Sequence, residues 1–297
     1  MTGPVVLACG LATVDVIQTV DHVPNANEKV VAVSTRVEAG GPALNAAVTA
    51  ALLGTPARLV TAVGESALGR VVLDDCATHG VVVVDTARAG FVLPVSTVLV
   101  TVSTGERAVA SLNSSGSRAT AVLGPQHLDE ALDGVTAVLV DGHHLPVAVA
   151  VASAARDRGI PVLADGGSWK QGLEGLLPHV DVLVVSGDFR RGNDGADDEL
   201  RDLLALGPGW VARTAGGDAV RWQADDGSSG SVPVPPTRVV DTLGAGDVLH
   251  GALVAEMAQH GTSDLPASLA RSVEVATMSV AAPGARGWAP VTARRGS

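Results

Sequence analysis

An acidic side chain stands where a glycine-rich turn meets a predicted helix in the segment DTLGAGDVLHGAL, residues 241–253. The apolar residues that follow recur at helical spacing, which predicts a helix beginning near Gly244. The first amides of a helix have no intrahelical partner, and with the helix dipole they favour a bound anion. Asp247 would lie beside that anion as a carboxylate able to accept a proton from an alcohol.

An anion-binding turn next to a base is the minimum arrangement for phosphoryl transfer to a hydroxyl group. The amides of Gly244, Ala245 and Gly246 would stabilise the charge on the transferred phosphoryl group, and Asp247 would orient the hydroxyl and take its proton. An acidic residue in the first turn of an ordinary helix would produce the same local pattern. The motif alone therefore leaves both interpretations open.

A second glycine motif lies in the first fifth of the chain, in EAGGPALNAAVTAALLG, residues 38–54. Adjacent glycines precede a predicted helix that is opened by Asn45 and ends at Gly54. Taken alone, this segment is equally typical of a tight turn before a capped helix.

Together, the two motifs resemble the signatures of the ribokinase-like, or pfkB-type, carbohydrate kinases. The first matches as Gly40–Gly41–x–x–x–Asn45, and the second as Asp241–Thr242–x–Gly244–Ala245–Gly246–Asp247 followed by Gly251. They lie about 200 residues apart, in the order that the family shows. Further segments resemble the family along most of the chain: CGLATVDVI (9–17), VGESALG (63–69), GERAV (105–109), TAGGDAV (214–220) and AAPGARGWAP (281–290).

The resemblance implies a role for individual residues and for three small ligands. ATP would be the phosphoryl donor, and Mg²⁺ would travel with it, held mainly by phosphates and water. A K⁺-type cation would be held in part by Asp241. The remaining roles are the catalytic base for Asp247, the anion hole for Gly244, Ala245 and Gly246, sugar binding for Asp15, Gly41 and Asn45, and nucleotide binding for Thr214, Gly216 and Gly284.

The chain departs from the family pattern in places that bear on metal and substrate. Many members carry an Asn-x-x-Glu motif where this chain has Ser186, Gly187 and Asp188, so either Asp188 substitutes for the glutamate or Mg²⁺ is held differently. The serine, and the segment PPTRVVDTLGAGD, resemble the ketohexokinase-like branch. Pro42 stands where ribokinases often have lysine, which weighs against ribose. Lys170 is a candidate for contacting the ATP phosphates, and an ordinary surface position is an equally good interpretation of this residue.

The elements that must position these residues follow an α/β rhythm. Strands are predicted at 4–9, 59–64, 134–142, 160–167, 180–186 and 237–240, with helices at 45–54 and 146–159 and a short helix near 170–177. This alternation predicts a doubly wound, mostly parallel sheet flanked by helices, in which ligands bind at the carboxyl ends of the strands. The valine-rich runs 81–84 and 137–140 suit strands buried on both faces.

Two extended segments, 28–37 and 92–103, stand outside that rhythm and predict a small β lid. We therefore expect a single domain over residues 1–297, with lid strands inserted from about 11–37 and 91–112. Unpaired lid edges would be a liability, so a homodimer formed through the lid is a possible arrangement.

Composition excludes several classes of partner. With 20 basic and 31 acidic residues, the net charge is −11, which argues against nucleic acid and anionic membranes as partners. The amino-terminal residues lack a signal-peptide pattern and no apolar run reaches about 18 residues, so a cytoplasmic location is expected. Cys9 and Cys76 fit no disulfide or metal pattern, and His143 and His144 have no third ligand at metal spacing. His250 is interpreted as a helix-surface or interface residue.

The function predicted from these observations is an ATP-dependent kinase that phosphorylates the hydroxymethyl group of a small sugar, a ketose such as fructose or ribose. A nucleoside kinase is the nearest alternative, but two Phe, four Trp and no Tyr leave few aromatic rings to grip a base. The candidates for such stacking are Trp169, Trp210 and Trp222. A non-catalytic sensor of sugar or nucleotide on the same fold is the alternative from another class.

Overall fold

The computed structural model describes residues 3–112, 120–191 and 200–289. Pro290, which closes the carboxyl-terminal segment of the resemblance, lies outside the described residues. The strands, in chain order, are β1 (Val6–Cys9), β2 (Thr13–Val20), β3 (Ser34–Gly40), β4 (Ala57–Thr61), β5 (Val82–Asp85), β6 (Val95–Thr101), β7 (Arg107–Ser111), β8 (Ala137–Val140), β9 (Val162–Gly166), β10 (Val182–Val185), β11 (Trp210–Ala215), β12 (Asp218–Ala224) and β13 (Ser229–Val232).

Within the described residues, seven α-helices connect or flank these strands. They are α1 (Pro42–Leu52), α2 (Ala67–Thr78), α3 (Pro125–Leu132), α4 (Leu145–Asp157), α5 (Leu200–Leu204), α6 (Ala245–His260) and α7 (Leu265–Val280). The short helix expected near 170–177 is instead a pair of 3-10 turns, Leu173–Gly175 and Leu177–His179. A proline at 178 and glycines at 172 and 175 explain why no longer helix forms there.

The main sheet has nine strands in the order β13-β12-β11-β10-β9-β8-β1-β4-β5. Seven of them, from β11 to β5, run parallel, while β12 and β13 add an antiparallel edge. The predicted mostly parallel, helix-flanked sheet is therefore confirmed. The antiparallel edge was not predicted, because its exposed, polar strands lack the apolar runs of the central ones.

Apolar packing on the two faces of the sheet forms two clusters. One joins the sheet to α1, α2, α6 and α7, and the other joins it to α3, α4, α5 and the 3-10 turns. Central strands such as β8 are buried along their whole length, as the valine-rich run 137–140 predicts. The run 81–84 differs because β5 lies at the edge of the sheet, where Val82 is 60% exposed.

A separate four-stranded sheet, in the order β3-β2-β6-β7, forms the lid. Strand β2 is antiparallel to β3 and parallel to β6, and β7 returns antiparallel to β6. Residues 28–33 of the predicted strand 28–37 are not part of β3, which begins only at Ser34.

The predicted strand 237–240 is wrong. The chain there is extended but unpaired in any sheet, with Val239 and Val240 more than half exposed. Its link to the core is the amide of Val240, which donates to the carbonyl of Val280 at 2.7 Å. Pro235 and Pro236 just before it lack the N–H groups that a central strand needs.

Among the described residues, no helix combines the length and the apolar character that crossing a lipid bilayer would require.

Candidate active site

The amino terminus of α6 opens toward a cleft between the main sheet and the lid. Gly244 caps the helix with φ of 77°, a left-handed conformation that glycine adopts without strain. The first helical hydrogen bond runs from the amide of Val248 to the carbonyl of Gly244 at 2.9 Å. The amides of Ala245, Gly246 and Asp247 precede that bond, and the amide of Ala245 donates to the carbonyl of Thr242 at 3.3 Å. A Cβ on Gly246 would meet no atom within 4 Å, so an anion has room to approach.

Asn45 connects the two sequence motifs. Its Nδ2 donates to Oδ2 of Asp247 at 2.7 Å, although the two residues are 202 positions apart. Its Oδ1 accepts from Nη2 of Arg286 at 3.2 Å, which fixes the orientation of the amide. Arg286 is anchored in turn by Asp75 of α2 at 2.5 Å and by the carbonyl of Ala39 at 3.0 Å. The Asp247 carboxylate is thereby held in one orientation.

Close packing of α1 against α6 makes the Asn45–Asp247 contact possible. A Cβ on Gly251 of α6 would lie 2.5 Å from the carbonyl oxygen of Ala46 and 2.7 Å from Cβ of Thr49. Only a glycine fits there, so the helices approach more closely than side chains at that position would allow. Gly251, part of the carboxyl-terminal motif, therefore acts through helix packing.

The cleft at this junction has a volume of about 280 Å³. It brings together five of the predicted site residues, namely Asp15, Gly41, Asn45, Gly244 and Asp247. The other lining residues are Leu11, Thr13, Ile17, Glu38, Ala39, Gly40, Pro42, Ser96, Val98, Val109, Ser111, Leu243, Ala285 and Arg286. The lid strands β2, β3, β6 and β7 supply part of the cleft wall, so the lid and the Asp247 side chain border the same cleft.

Asp15 lies on β2, where Oγ1 of Thr13 donates to its Oδ1 at 2.9 Å. A Cβ on Gly40 would collide with the Asp15 carboxylate, and a Cβ on Gly41 would collide with the carbonyl of Leu11. Gly41 also has φ of 102° and accepts the first hydrogen bond of α1 from the amide of Asn45 at 2.9 Å. The adjacent glycines thus let the lid strand and α1 meet at the cleft.

Asp141, which the sequence analysis missed, ties three segments together at the carboxyl end of β8. Its carboxylate accepts from the amides of Leu11 at 2.8 Å, Ala43 at 3.1 Å and His143 at 2.9 Å. A Cβ on Gly10 would collide with this carboxylate. The available signal was an acidic residue directly after a buried strand, the position in which ligand-facing residues occur in such sheets.

Burial and charge raise the pKa of Asp247 from 3.8 to about 7. The main cause is removal of the carboxyl group from water, followed by the like charge of Asp165, while the hydrogen bond from Asn45 and the proximity of His250 act in the opposite direction. The pKa of Asp165 is raised as well, chiefly by burial. A carboxylate with a pKa near 7 is a stronger base than an exposed aspartate.

Of the two interpretations of His250, the helix surface is wrong, because the residue is only 5% exposed. Its Nδ1 lies 2.7 Å from the carbonyl oxygen of Gly246, and its Nε2 lies 3.2 Å from that of Val184. The helical spacing placed His250 correctly on α6. A polar residue on a helix is usually exposed, but α6 is buried on nearly every side.

His143 and His144 are buried beside Asp141, and burial lowers the pKa of both rings, that of His143 to about 4. The described residues contain no group of three or more His, Cys, Asp or Glu side chains that could hold a metal ion. Asp188 is exposed after β10, so its assignment to Mg²⁺ stays a prediction.

The predicted nucleotide residues lie outside the lining of this cleft. Thr214 is the penultimate residue of β11, where its Oγ1 lies 3.5 Å from the carbonyl oxygen of Val185, and Gly216 forms the turn to β12 with φ of 60°. Lys170 is half-buried beyond β9, with its Nζ 3.8 Å from where a Cβ on Gly142 would stand. All three are at or beyond the carboxyl ends of neighbouring parallel strands, the edge that nucleotides occupy in such sheets.

Asp241 connects the turn that precedes α6 to the segment after α7 that contains Gly284. Its Oδ1 accepts from the amide of Leu243 and its Oδ2 from the amide of Gly284, each at 2.9 Å. Nη2 of Arg36, on the lid strand β3, lies 3.7 Å from the same Oδ2. Gly284 therefore contacts the predicted cation ligand, and its assignment to the nucleotide stays a prediction.

A carboxylate at a helix amino terminus, a small cleft at the carboxyl edge of a parallel sheet and a β lid are typical of a small-molecule phosphotransferase with an alcohol acceptor. Comparison with known families agrees: residues 5–291 match the model of the pfkB family of carbohydrate kinases. The chain belongs to this family, as the two glycine motifs predicted. It is a ribokinase-like, ATP-dependent carbohydrate kinase.

Among characterised relatives, a ribokinase from Bacillus subtilis is 25% identical over 290 residues, which cover 95% of this chain and 94% of that protein. The structure of Arabidopsis thaliana ribokinase, complexed with ribose and ATP, covers 100% of both chains with a TM-score of 0.76 at 21% identity. A fructokinase from Xylella fastidiosa with bound ATP covers 97% of this chain and 96% of that one, with a TM-score of 0.73 at 19% identity. At these identities the two structures establish the fold.

Proposed function

We propose that this kinase transfers the γ-phosphoryl group of ATP to the hydroxymethyl group of a neutral monosaccharide, a ketose such as fructose, or ribose. The observation that carries the proposal is the Asn45–Asp247 hydrogen bond at the wall of the cleft. Asp247 removes the proton from the hydroxyl group, which attacks the phosphorus in line and displaces ADP. The amides of Gly244, Ala245 and Gly246 stabilise the charge on the phosphoryl oxygens.

The size and charge of the cleft support a neutral sugar. About 280 Å³ is at the small end of ligand cavities and suits a monosaccharide. Three carboxylates line it, those of Asp15, Glu38 and Asp247. Glu38 is paired with Arg36 at 3.4 Å, and the guanidinium of Arg286 is paired with Asp75. A sugar acid would meet net negative charge there, so hydroxyl groups are the better match.

The arrangement of aromatic rings argues against a nucleoside acceptor. The described lining of the cleft contains no Phe, Trp or Tyr on which a base could stack. Trp210 instead stacks on Trp222 with ring centroids 5.8 Å apart at the antiparallel edge, and Trp169 packs edge-on against Phe189 at 6.0 Å.

The proposed metal requirements differ between the two cations. Mg²⁺ would be bound mainly by the phosphates of ATP. Asp188 is the carboxylate that the sequence suggests in place of the glutamate of the Asn-x-x-Glu motif. A K⁺ ion at Asp241 would compete with the guanidinium of Arg36 and with two amide donors. We therefore propose an absolute need for Mg²⁺ and at most a modest stimulation by K⁺.

Turnover of ATP against a panel of acceptors tests the proposed function. The purified protein is assayed with Mg²⁺, with and without K⁺, against fructose, other ketoses, ribose, gluconate and adenosine. We expect turnover with one neutral sugar and little with gluconate or adenosine, since the cleft is acidic and lacks aromatic rings. Adenosine as the best substrate would establish a nucleoside kinase, and binding without turnover on any acceptor would establish a sensor.

We also infer that the lid pairs with the lid of a second copy. Val31, Val33 and Val37 are 82%, 66% and 54% exposed, a run of apolar side chains at or next to β3. Such a surface beside an exposed sheet edge favours association. Light scattering should give twice the chain mass for the protein and the chain mass for Val33→Asp. The matched control, Val82→Asp on the edge strand β5, should stay dimeric, and a monomeric wild-type protein would contradict the inference.

A further inference from the structure

Two buried ionisable side chains lie behind the first turn of α6, and the proposed reaction does not use them. His250 lies three positions after Asp247, and Asp165 lies on β9. Their side chains are 6% and 9% exposed, and Oδ2 of Asp165 is 3.5 Å from Nδ1 of His250. Two ionisable groups are costly to bury unless their charges compensate each other, so the pair requires an explanation.

Both nitrogens of the His250 ring face backbone carbonyl oxygens. Nδ1 lies 2.7 Å from the carbonyl oxygen of Gly246, and Nε2 lies 3.2 Å from that of Val184. Carbonyl oxygens only accept hydrogen bonds, and a neutral imidazole has a single N–H to donate. An imidazolium donates at both nitrogens, and its positive charge then faces the Asp165 carboxylate.

This pair adjoins the proposed base from two sides. Residues three positions apart on a helix are neighbours on its surface, so the His250 charge lies close to the Asp247 carboxylate. The Asp165 carboxylate acts on Asp247 in the opposite sense, as a like charge. Ionisation of Asp247 is therefore favoured by His250 and opposed by Asp165.

We propose that His250 and Asp165 are positioning residues that set the pH range in which Asp247 is ionised and able to act as the base. The inference rests on the proposed role of Asp247. Besides this pair, the groups that act on Asp247 or Asp165 are Asn45 from α1, Asp141 after β8 and Lys170 after β9. Nine residues beyond Asp247 along α6, Glu256 is paired with Arg271 from α7.

The pH dependence of kcat/KM for His250→Gln and Asp165→Asn tests the proposal. In the wild-type protein kcat/KM should rise as pH rises through about 7, because the base must lose its proton. Removing the positive charge at 250 should move this midpoint upward by about one pH unit, and removing the negative charge at 165 should move it downward by about one unit. A packing defect would not shift the two variants in opposite directions. His260→Gln, at the exposed end of α6, is the matched control and should leave the midpoint unchanged.

A second readout needs no turnover. Because the pKa of Asp247 is raised by folding, Asp247→Asn should gain thermal stability over its parent as pH rises, up to the pKa in the folded state. The pH at which that gain levels off should be higher in the His250→Gln background and lower in the Asp165→Asn background.

The outcomes separate the two hypotheses. A wild-type protein that phosphorylates no sugar contradicts the proposed function. The stability measurement still tests whether His250 and Asp165 control the ionisation of Asp247. If the pH midpoints of the two variants do not move, or move in the same direction, the proposed role of His250 and Asp165 is overturned. If His250→Gln does not fold, Asp165→Asn decides alone, and a midpoint that fails to fall overturns the proposal.

Discussion

Replacing Asp247 with Asn should lower the turnover of ATP with the best sugar by about 10³-fold, the scale of losing a general base. The substitution keeps the size of the side chain, and an Asn oxygen can still accept from Nδ2 of Asn45. The acceptor hydroxyl would then remain oriented but would have no group to take its proton. Asp157→Asn, an exposed aspartate at the end of α4, is the matched control and should retain full activity.

The same variant should be more thermally stable than the wild-type protein at pH 8. Folding raises the pKa of Asp247 from 3.8 to about 7, so the ionised group opposes folding at neutral and alkaline pH. The gain in Tm should be absent below about pH 4, grow toward pH 7 and stay constant above it. Full activity in Asp247→Asn, or a Tm lower than that of the wild-type protein at pH 8, would contradict the assignment.

Replacing Gly251 with Ala should disrupt the site from a distance. The added Cβ would lie 2.5 Å from the carbonyl oxygen of Ala46, a backbone atom that cannot rotate away, so α1 and α6 must separate. Overpacking of this kind typically lowers the free energy of unfolding by about 1–3 kcal/mol. Because the separation displaces Asn45 from Asp247, we expect kcat/KM to fall by up to about 10²-fold.

Denaturant unfolding and steady-state kinetics of Gly251→Ala measure both effects. Gly175→Ala is the matched control, since a Cβ there meets no atom within 4 Å and the residue lies in a 3-10 turn away from the cleft. It should change neither stability nor activity appreciably. A Gly251→Ala protein with wild-type stability and kinetics would show that the helices tolerate the extra carbon, and the packing argument would fail.

The parallel core of the fold could be predicted because its signals are local. Buried strands such as β8 and β10 are continuous apolar runs, and a glycine follows the end of helices such as α4. Each element can therefore be predicted from about a dozen neighbouring residues. Segment 237–240 contains two β-branched valines yet forms no strand, because pairing is decided by distant partners. The antiparallel β12 and β13 were missed for the converse reason, since hairpin pairing can hold strands that are polar and exposed.

Among the residues that surround the proposed base, some could be predicted from local sequence motifs and others could not. Asn45 and Asp247 belong to recognisable motifs, and the sequence placed both at the site. Arg286 and Asp141 follow a glycine-rich segment and a buried strand, respectively, but nothing local shows that they meet Asn45 or the start of α1. The burial of His250 follows only from how α6 packs against its neighbours in the fold, which periodicity within α6 does not reveal.

The 202 positions between Asn45 and Asp247 also bear on how the protein is made. Synthesis proceeds from the amino terminus, so β1, the lid strands and α1 leave the ribosome long before α6 does. On the proposed assignment, a nascent chain carries most of the sugar-binding wall but no base beside it. Any product cut short before α6 would therefore lack the proposed base and could not transfer phosphate by the proposed route.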